Sequence, residues 1–372
     1  MSNLQTKMTK YNHMNAFWKI IHSFIVTINF GVVILLIICG YSYKIKPEFS
    51  AISSFLGFGF PVLALVNVSF VFYWLFRKKG WILISFIGLA ITYSSCQAWF
   101  PINFNSDKQP EKIFKVLSYN VMYFSYKLKI EPGHLHPIIE YIQKKDADIV
   151  CLQEAGPVFI DVTLKETAVR KALKAYRYVY SGAQENRYSV VLLSKYPVLH
   201  SQRIKYKSQS NSSFFYDIKI GNDTIRLINN HLESNKLNKD EKNKYTDLLT
   251  NRESDKLTAV AEALGNKVGK STVIRASQAD AVSEVVRESP YKVIVCGDFN
   301  DAPGSYTYRT VRRGLIDSWI EHGLGWGNTF HENLFLFRID FIMHSPEIKS
   351  FKVKVDKVKY SDHYPIWANL EI

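Results

Sequence analysis

The 372-residue sequence predicts an α/β domain preceded by three transmembrane helices. Three observations carry this. Charged residues are missing from three long apolar runs within the first hundred positions. Beyond them, short β-branched runs alternate with helix-like stretches, the pattern of a mixed α/β unit. Most of the strand-like runs then end on Asn, Glu, His or Asp. The pattern is clearest at Val293-Ile294-Val295-Cys296-Gly297-Asp298-Phe299-Asn300-Asp301. There an apolar run long enough to be covered on both faces empties into a polar turn, which is how a buried strand delivers functional groups to a rim.

Taken in order, Ile20–Tyr43, Phe49–Phe76 and Gly80–Ser106 contain no Asp, Glu, Lys or Arg. About 20 residues of apolar helix cross a bilayer, so residues 1–100 are expected to form an anchor with spans at 20–43, 50–76 and 80–100. A cleavable signal peptide would be one short apolar run with a small-residue cleavage site, and three runs exclude it. His22, Asn29 and Asn67 inside the spans read as helix-packing hydrogen bonds rather than a ligand path. Lys7, Lys10, Lys19 and the Arg77-Lys78-Lys79 turn outnumber Lys44 and Lys46 in the intervening connection. Positive flanks stay cytoplasmic, which puts everything after Phe100 on the outer side of a cytoplasmic membrane, periplasmic or extracellular. Lys108, Lys112 and Lys115 pull the other way.

The formal net charge is +14, but residues 1–100 hold eight Lys/Arg against Glu48 alone, so half of it flanks the spans. It therefore says little about nucleic acid. Residues 101–110 read as a polar linker and 111–372 as the globular domain. Strands are expected at 113–119, 149–153, 190–193, 214–220 and 224–229, and helices at 138–145 and 276–288. Between Asn235 and Lys292, eleven basic and nine acidic residues interleave as a solvated face. The lysines at 349–359 read as protection of an edge strand. Cys39, Cys96, Cys151 and Cys296 read as buried small hydrophobes. A Cys151–Cys296 bridge requires their strands to be neighbours in an oxidising compartment.

Down the chain, strand ends deliver Asn120, Glu154, His231, Asp298 with Asn300, Asp340, and Asp362 with His363. Ser118-Tyr119-Asn120, Gln153-Glu154, Asn230-His231-Leu232, Gly297-Asp298-Phe299-Asn300, Arg338-Ile339-Asp340 and Ser361-Asp362-His363 together resemble the endonuclease/exonuclease/phosphatase superfamily. Shorter blocks agree: Ser194-Lys195-Tyr196-Pro197, Pro303 with Ser305, Asp317, and Thr329-Phe330. The resemblance implies a four-layer α/β sandwich of two mixed sheets and a divalent-metal-dependent phosphoesterase, using Mg2+ or alternatively Mn2+. It implies Glu154 as principal metal ligand with Asn120 and Asp362 around it. It makes His363 the general base, oriented by Asp340, and lets Asp298 align or deprotonate the attacking water. Asn300 would bind a phosphate oxygen and His231 would donate to the phosphate. Which of Asp298 and His363 takes the proton stays open. Met122 stands where some nuclease branches carry an acid, which favours one metal, and Ser189 stands where many relatives carry Gly.

The substrate is then a phosphoester: a lipid, a small phosphodiester or nucleic acid. The competing readings are a nuclease outside the cytoplasmic membrane and a non-catalytic membrane binding protein on the same fold. A transporter is disfavoured because paired repeats and intramembrane charges are missing from the sequence. Tyr123, Phe124, Tyr126, Tyr188, Trp326 and Phe335 are candidates to line the cleft.

Overall fold

The computed structural model describes residues 2–50, 52–77, 80–104, 110, 112–125, 134–155, 159, 166–182, 190–208, 211–235, 254–332 and 336–372. Lys78, Lys79, Tyr126, Tyr188, Ser189 and Phe335 lie outside these. Two helices, α1 (Ser2–Tyr41) and α2 (Ile52–Phe76), contain stretches long and apolar enough to cross a membrane. The third run departs from expectation. It forms α3 (Ile82–Ile91) and α4 (Tyr93–Trp99), bent 72° from one another, in place of one straight span. The bend sits at Thr92, whose hydroxyl donates back to Gly88 O while its own carbonyl caps the new helix through Ser95 N and Cys96 N. Hydropathy does not register this, because the run stays apolar on both sides of the break.

The globular part contains two six-stranded mixed sheets. The first runs β11 (Lys349–Val355), β12 (Ile366–Glu371), β1 (Phe114–Asn120), β2 (Ile149–Gln153), β4 (Val191–Ser194), β3 (Tyr178–Ser181). The second runs β5 (Val198–Arg203), β6 (Ser213–Ile220), β7 (Asp223–His231), β8 (Lys292–Asp298), β10 (Asp340–His344), β9 (Ile316–Asp317). Among the described residues, only β1 with β2 and β7 with β8 run parallel. Period-2 alternation sorts the side chains. Val116 and Cys151 face Ile294, Cys296 and Ile342 of the other sheet. Leu117, Tyr119, Val150 and Leu152 face outward onto α5 (Pro137–Lys145). Val293, Val295 and Phe341 cover the opposite outer face, against α6 (Ser254–Arg287). The result is helix, sheet, sheet, helix.

The helix α6 starts well before the expected 276, since its charged first half is helical as well. Lys349–Val355 is an edge strand. Cys151 and Cys296 meet across the inter-sheet core as free thiols, and burial pushes the Cys151 thiol up.

The N-terminal helices and the globular part share a packed interface. Leu36, Cys39, Phe60 and Trp99 form one apolar cluster with Ala302, and Phe58 packs on Phe337 with ring centroids 5.3 Å apart. At Gly57 and Gly304 the backbones meet so closely that a Cβ on Gly57 would lie 2.8 Å from Gly304 O. The start of the linker is also docked: Asn103 donates to Ile320 O and Gly323 O.

Candidate active site

Parallel pairing of β7 with β8 and antiparallel pairing of β8 with β10 put His231, Asp298 and Asp340 in register. Across the core, β1 and β2 end side by side at Asn120 and Gln153, so Glu154 leaves the first sheet opposite Asp298. Glu154 and Asn300 both have left-handed backbones, φ 53° and 51°. Such conformations cost a non-glycine residue on the order of 1 kcal/mol and persist where surroundings over-determine them. Gly297 is required by packing, since a Cβ there would lie 2.0 Å from Asn230 O, and its φ is 123°.

One amide joins the two sheets. Asn120 Nδ2 donates to Asp298 Oδ2 at 3.0 Å and to Glu154 Oε1 at 3.3 Å, while its Oδ1 accepts from Met122 N. Asn120 therefore aligns two carboxylates here and spends its oxygen on the local turn. Asn300 does similar work. Its backbone N–H donates to Asp298 Oδ1 at 2.7 Å, and its amide nitrogen donates to Asp298 Oδ2 and Leu232 O. Asn300 therefore supports Asp298 directly.

His363 Nδ1 and Asp340 Oδ2 are 2.9 Å apart, and His363 Nε2 lies 3.8 Å from Asp298 Oδ2. The backbone N–H groups of Ile339 and Asp340 both donate to Thr329 Oγ1, which fixes the approach to Asp340. The Phe330 ring packs on His363. Burial opposes a charge on His363, but the Asp340 and Asp298 carboxylates outweigh it and push the imidazole up to about 10. Burial pushes the Asp298 carboxyl up to about 6, against the pull of His363. His231, fully buried, holds Nε2 3.5 Å from Glu154 Oε1 and 3.9 Å from Asp298 Oδ2. Asp362 is half-buried in the turn it shares with His363, and Ser361 Oγ ties that turn to Asn120 O. All eight residues singled out from the sequence thus fall in one region. Glu154, Asn120, Asp298, His231, Asp340 and His363 are linked by short contacts, Asn300 braces Asp298, and Asp362 joins through its turn.

A divalent cation can be tested against this donor set. Asp340 Oδ1 is buried without a hydrogen-bond partner among the described residues, and Asp298, Asp340 and His363 offer ligand atoms within 4.8 Å of one another. Glu154 keeps 18% of its side chain exposed, leaving room for an ion that retains its waters. Hard carboxylate oxygens at a partly open rim suit magnesium or manganese.

Sequence reasoning missed the residues beneath these. Gln153 Nε2 donates to Asn229 Oδ1 at 2.7 Å, and Asn229 Nδ2 donates to Leu152 O and Val191 O, tying the sheets under the site. Arg275, fully buried on α6, reaches Asp301 Oδ2, Glu233 O and Asn235 Oδ1, clamping the turns after His231 and Asn300. The adjacency of Gln153 and Asn229 to motif residues was a usable signal, whereas nothing local marks Arg275.

A family profile described as the Endonuclease/Exonuclease/phosphatase family matches residues 117–363, and one described as a domain of unknown function matches residues 22–99. The chain is 26% identical over 316 residues to the inositol phosphosphingolipids phospholipase C of Schizosaccharomyces pombe, covering 72% of this chain and 70% of that protein. Among solved structures, TDP2 of D. rerio complexed with single strand DNA product is 18% identical, with 70% of this chain and 100% of that one covered, TM-score 0.49. An endonuclease/exonuclease/phosphatase family protein from Bacteroides thetaiotaomicron is 17% identical, with 71% and 98% covered, TM-score 0.47. With its profile matched over most of the length and across every one of the six motif blocks, the chain belongs to the endonuclease/exonuclease/phosphatase family of phosphoester hydrolases.

Proposed function

We propose that this protein is a membrane-anchored, divalent-metal-dependent phosphodiesterase whose substrate phosphoester is carried by a lipid. The observation that carries the reading is the convergence of Glu154, Asn120, Asp298, His231, Asp340 and His363 from the ends of both sheets onto one buried cluster. One lip of that cluster rests on the helices proposed as spans: Phe330 against His363, its strand neighbour Phe337 against Phe58, and Ala302 in the cluster with Leu36 and Phe60. That placement, with the lipid named in the fungal relative's description, favours a lipid over DNA or RNA.

In this reading the chain supplies alignment and proton handling. Magnesium, or manganese in its place, held at Glu154 with Asp362 nearby, would neutralise charge on the non-bridging phosphate oxygens. Asp298, gripped by Asn120 and Asn300, aligns the attacking water and accepts its proton. His363 has two carboxylates within reach, which favour its cation, and presents Nε2 to the phosphate while Asp340 holds the ring. His231 donates from the second side. The helices α1, α2 and the bent pair α3 and α4 anchor the domain. Lys7, Lys10 and Lys19 in the first half of α1, and Arg77 after α2, fall on the cytoplasmic side, leaving the domain outside.

The test uses the full chain in mixed micelles with magnesium against sphingomyelin, phosphoinositides, a bis-aryl phosphate, plasmid DNA and RNA. Lipid phosphodiester hydrolysis that stops on chelation is expected. Glu154→Gln keeps the shape but removes the charge that holds a hard cation, so the magnesium needed for half-maximal rate should rise. Preferred cleavage of DNA would overturn the lipid assignment, and an unchanged magnesium requirement in Glu154→Gln would overturn the ligand.

A further inference from the structure

We infer that the cavity between the outer end of α1 and the helix α7 (Tyr306–Val311) binds the phosphate of an anionic phospholipid. The cavity holds about 490 Å3 and is lined by Tyr43, Lys44, Tyr306, Arg309, Arg312 and Arg313, with Thr310 and Leu315 completing it. Four of its walls are cationic and none is acidic. The nearest carboxylates are engaged elsewhere: Asp280 binds Lys46 at 2.9 Å and Tyr306 Oη, and Asp317 binds Arg338.

Arg309 is the built element of the site. Its Nη1 donates to Ser94 Oγ and its Nη2 to Ser94 O and Ser95 Oγ, which fixes the guanidinium at the start of α4. Its Nε is buried without a hydrogen-bond partner among the described residues. Burial, with Arg312 adding to it, holds this guanidinium below its ordinary value. A buried guanidinium N–H facing other cations and no acid is costly, and an anion relieves the cost. Phosphate chemistry fits a fork of arginines with hydroxyls beside it.

Lipid is favoured over free phosphate by where the cavity sits. Lys44 is the last residue of the first candidate span, Ala16–Lys44. Ile45 and Phe49 in the same connection are 49% and 85% exposed, which suits a bilayer interface. A lipid seated there could lay its chains along α1. This rests on the helices being membrane spans, so the test separates the two.

Full-length protein carrying His363→Ala, so that phosphodiester turnover is slowed, is purified in a neutral detergent and titrated with phosphatidylglycerol, phosphatidylcholine or inorganic phosphate. Thermal shift and retained lipid by mass spectrometry are read. Adding Arg312→Gln with Arg313→Gln should weaken phosphatidylglycerol about thirtyfold, at roughly a kilocalorie for each of the two interfacial cations. Lys44→Gln, in the turn after α1 rather than on α7 or its end, should weaken it in the same direction and guards against local unfolding. Binding of phosphatidylglycerol unchanged in both variants, or matched by phosphatidylcholine, would overturn the site. Equal stabilisation by millimolar inorganic phosphate would overturn the lipid source. Separately, the protein is reconstituted in phosphatidylcholine vesicles and washed with alkaline carbonate. Release would overturn the membrane reading and the lipid with it, whereas retention alongside unchanged phosphatidylglycerol binding would overturn the site alone.

Discussion

Arg338 joins the N-terminal helices to the strand that begins at Asp340, and removing it has a calculable result. Its Nη1 binds Asp317 Oδ2 at 2.7 Å, its Nη2 binds Ala98 O at 2.7 Å at the end of α4, and it lies two residues before Asp340. Arg338 and Asp317 are both essentially inaccessible to water. In Arg338→Gln the Asp317 carboxylate keeps only Tyr308 Oη and Trp319 N as donors. An uncompensated buried charge costs about 3–5 kcal/mol. For a protein of this size that lowers the melting temperature by about 4–6 °C. The pH dependence carries a sign. In the parent, burial works to raise the Asp317 carboxyl, but Arg338 and Tyr308 hold it below its ordinary value of 3.8. Its stabilisation is therefore present above the unfolded value and lost as pH falls through the lower folded value. Without Arg338, burial dominates and the folded value rises above the unfolded one. The variant's deficit should then shrink as pH is lowered towards 5 and grow towards 8. Asp317→Asn added to Arg338→Gln should recover part of the loss. The assay is scanning calorimetry of the full chain in detergent from pH 5 to 8. A deficit below about 1 kcal/mol, the level of an exposed pair, or one independent of pH, would refute the argument.

Three further outcomes are expected. His363→Ala should lower turnover of a phosphodiester by about 10²–10⁴, and Asp340→Asn should add little to it, since the two share one 2.9 Å contact; multiplicative losses would show that they act independently. Gly57→Ala should force α2 off the turn holding Asp298 and Asn300, because its Cβ would lie 2.8 Å from Gly304 O. Turnover and thermal stability should fall together, and parent-like values for both would show that the contact is dispensable. A reporter fused after Ile372 should read as external to the cytoplasmic membrane, and activity of a cytoplasm-restricted reporter would reverse the orientation.

Much of the catalytic fold was legible in the chain because its strands are short β-branched runs with polar residues at one end. The strands around Lys115, Val150, Leu227 and Val295 fall where alternation and apolar runs place them. The candidate site was legible for the same reason: each of its polar residues interrupts an apolar pattern, and six such blocks in order point to one family. Hydropathy likewise marked α1 and α2.

What sequence could not show is how those ends are wired and what the anchor touches. Asn120 and Asn300 read from sequence as groups around ion and phosphate, and in the fold their amides also grip Glu154 and Asp298. Where an amide N–H donates depends on neighbours 34 and 178 residues away in sequence. The third apolar run reads as one span, yet Thr92 breaks it and Arg309 and Arg338 hold its second half against the domain. The chain by itself determined that the first hundred residues hold long apolar runs, and its six motif blocks, through the family they resemble, that the rest is a phosphoester-hydrolase sandwich. Only tertiary structure decided that the two share an interface, because a backbone carbonyl such as Ala98 O or Gly57 O carries no side-chain signature.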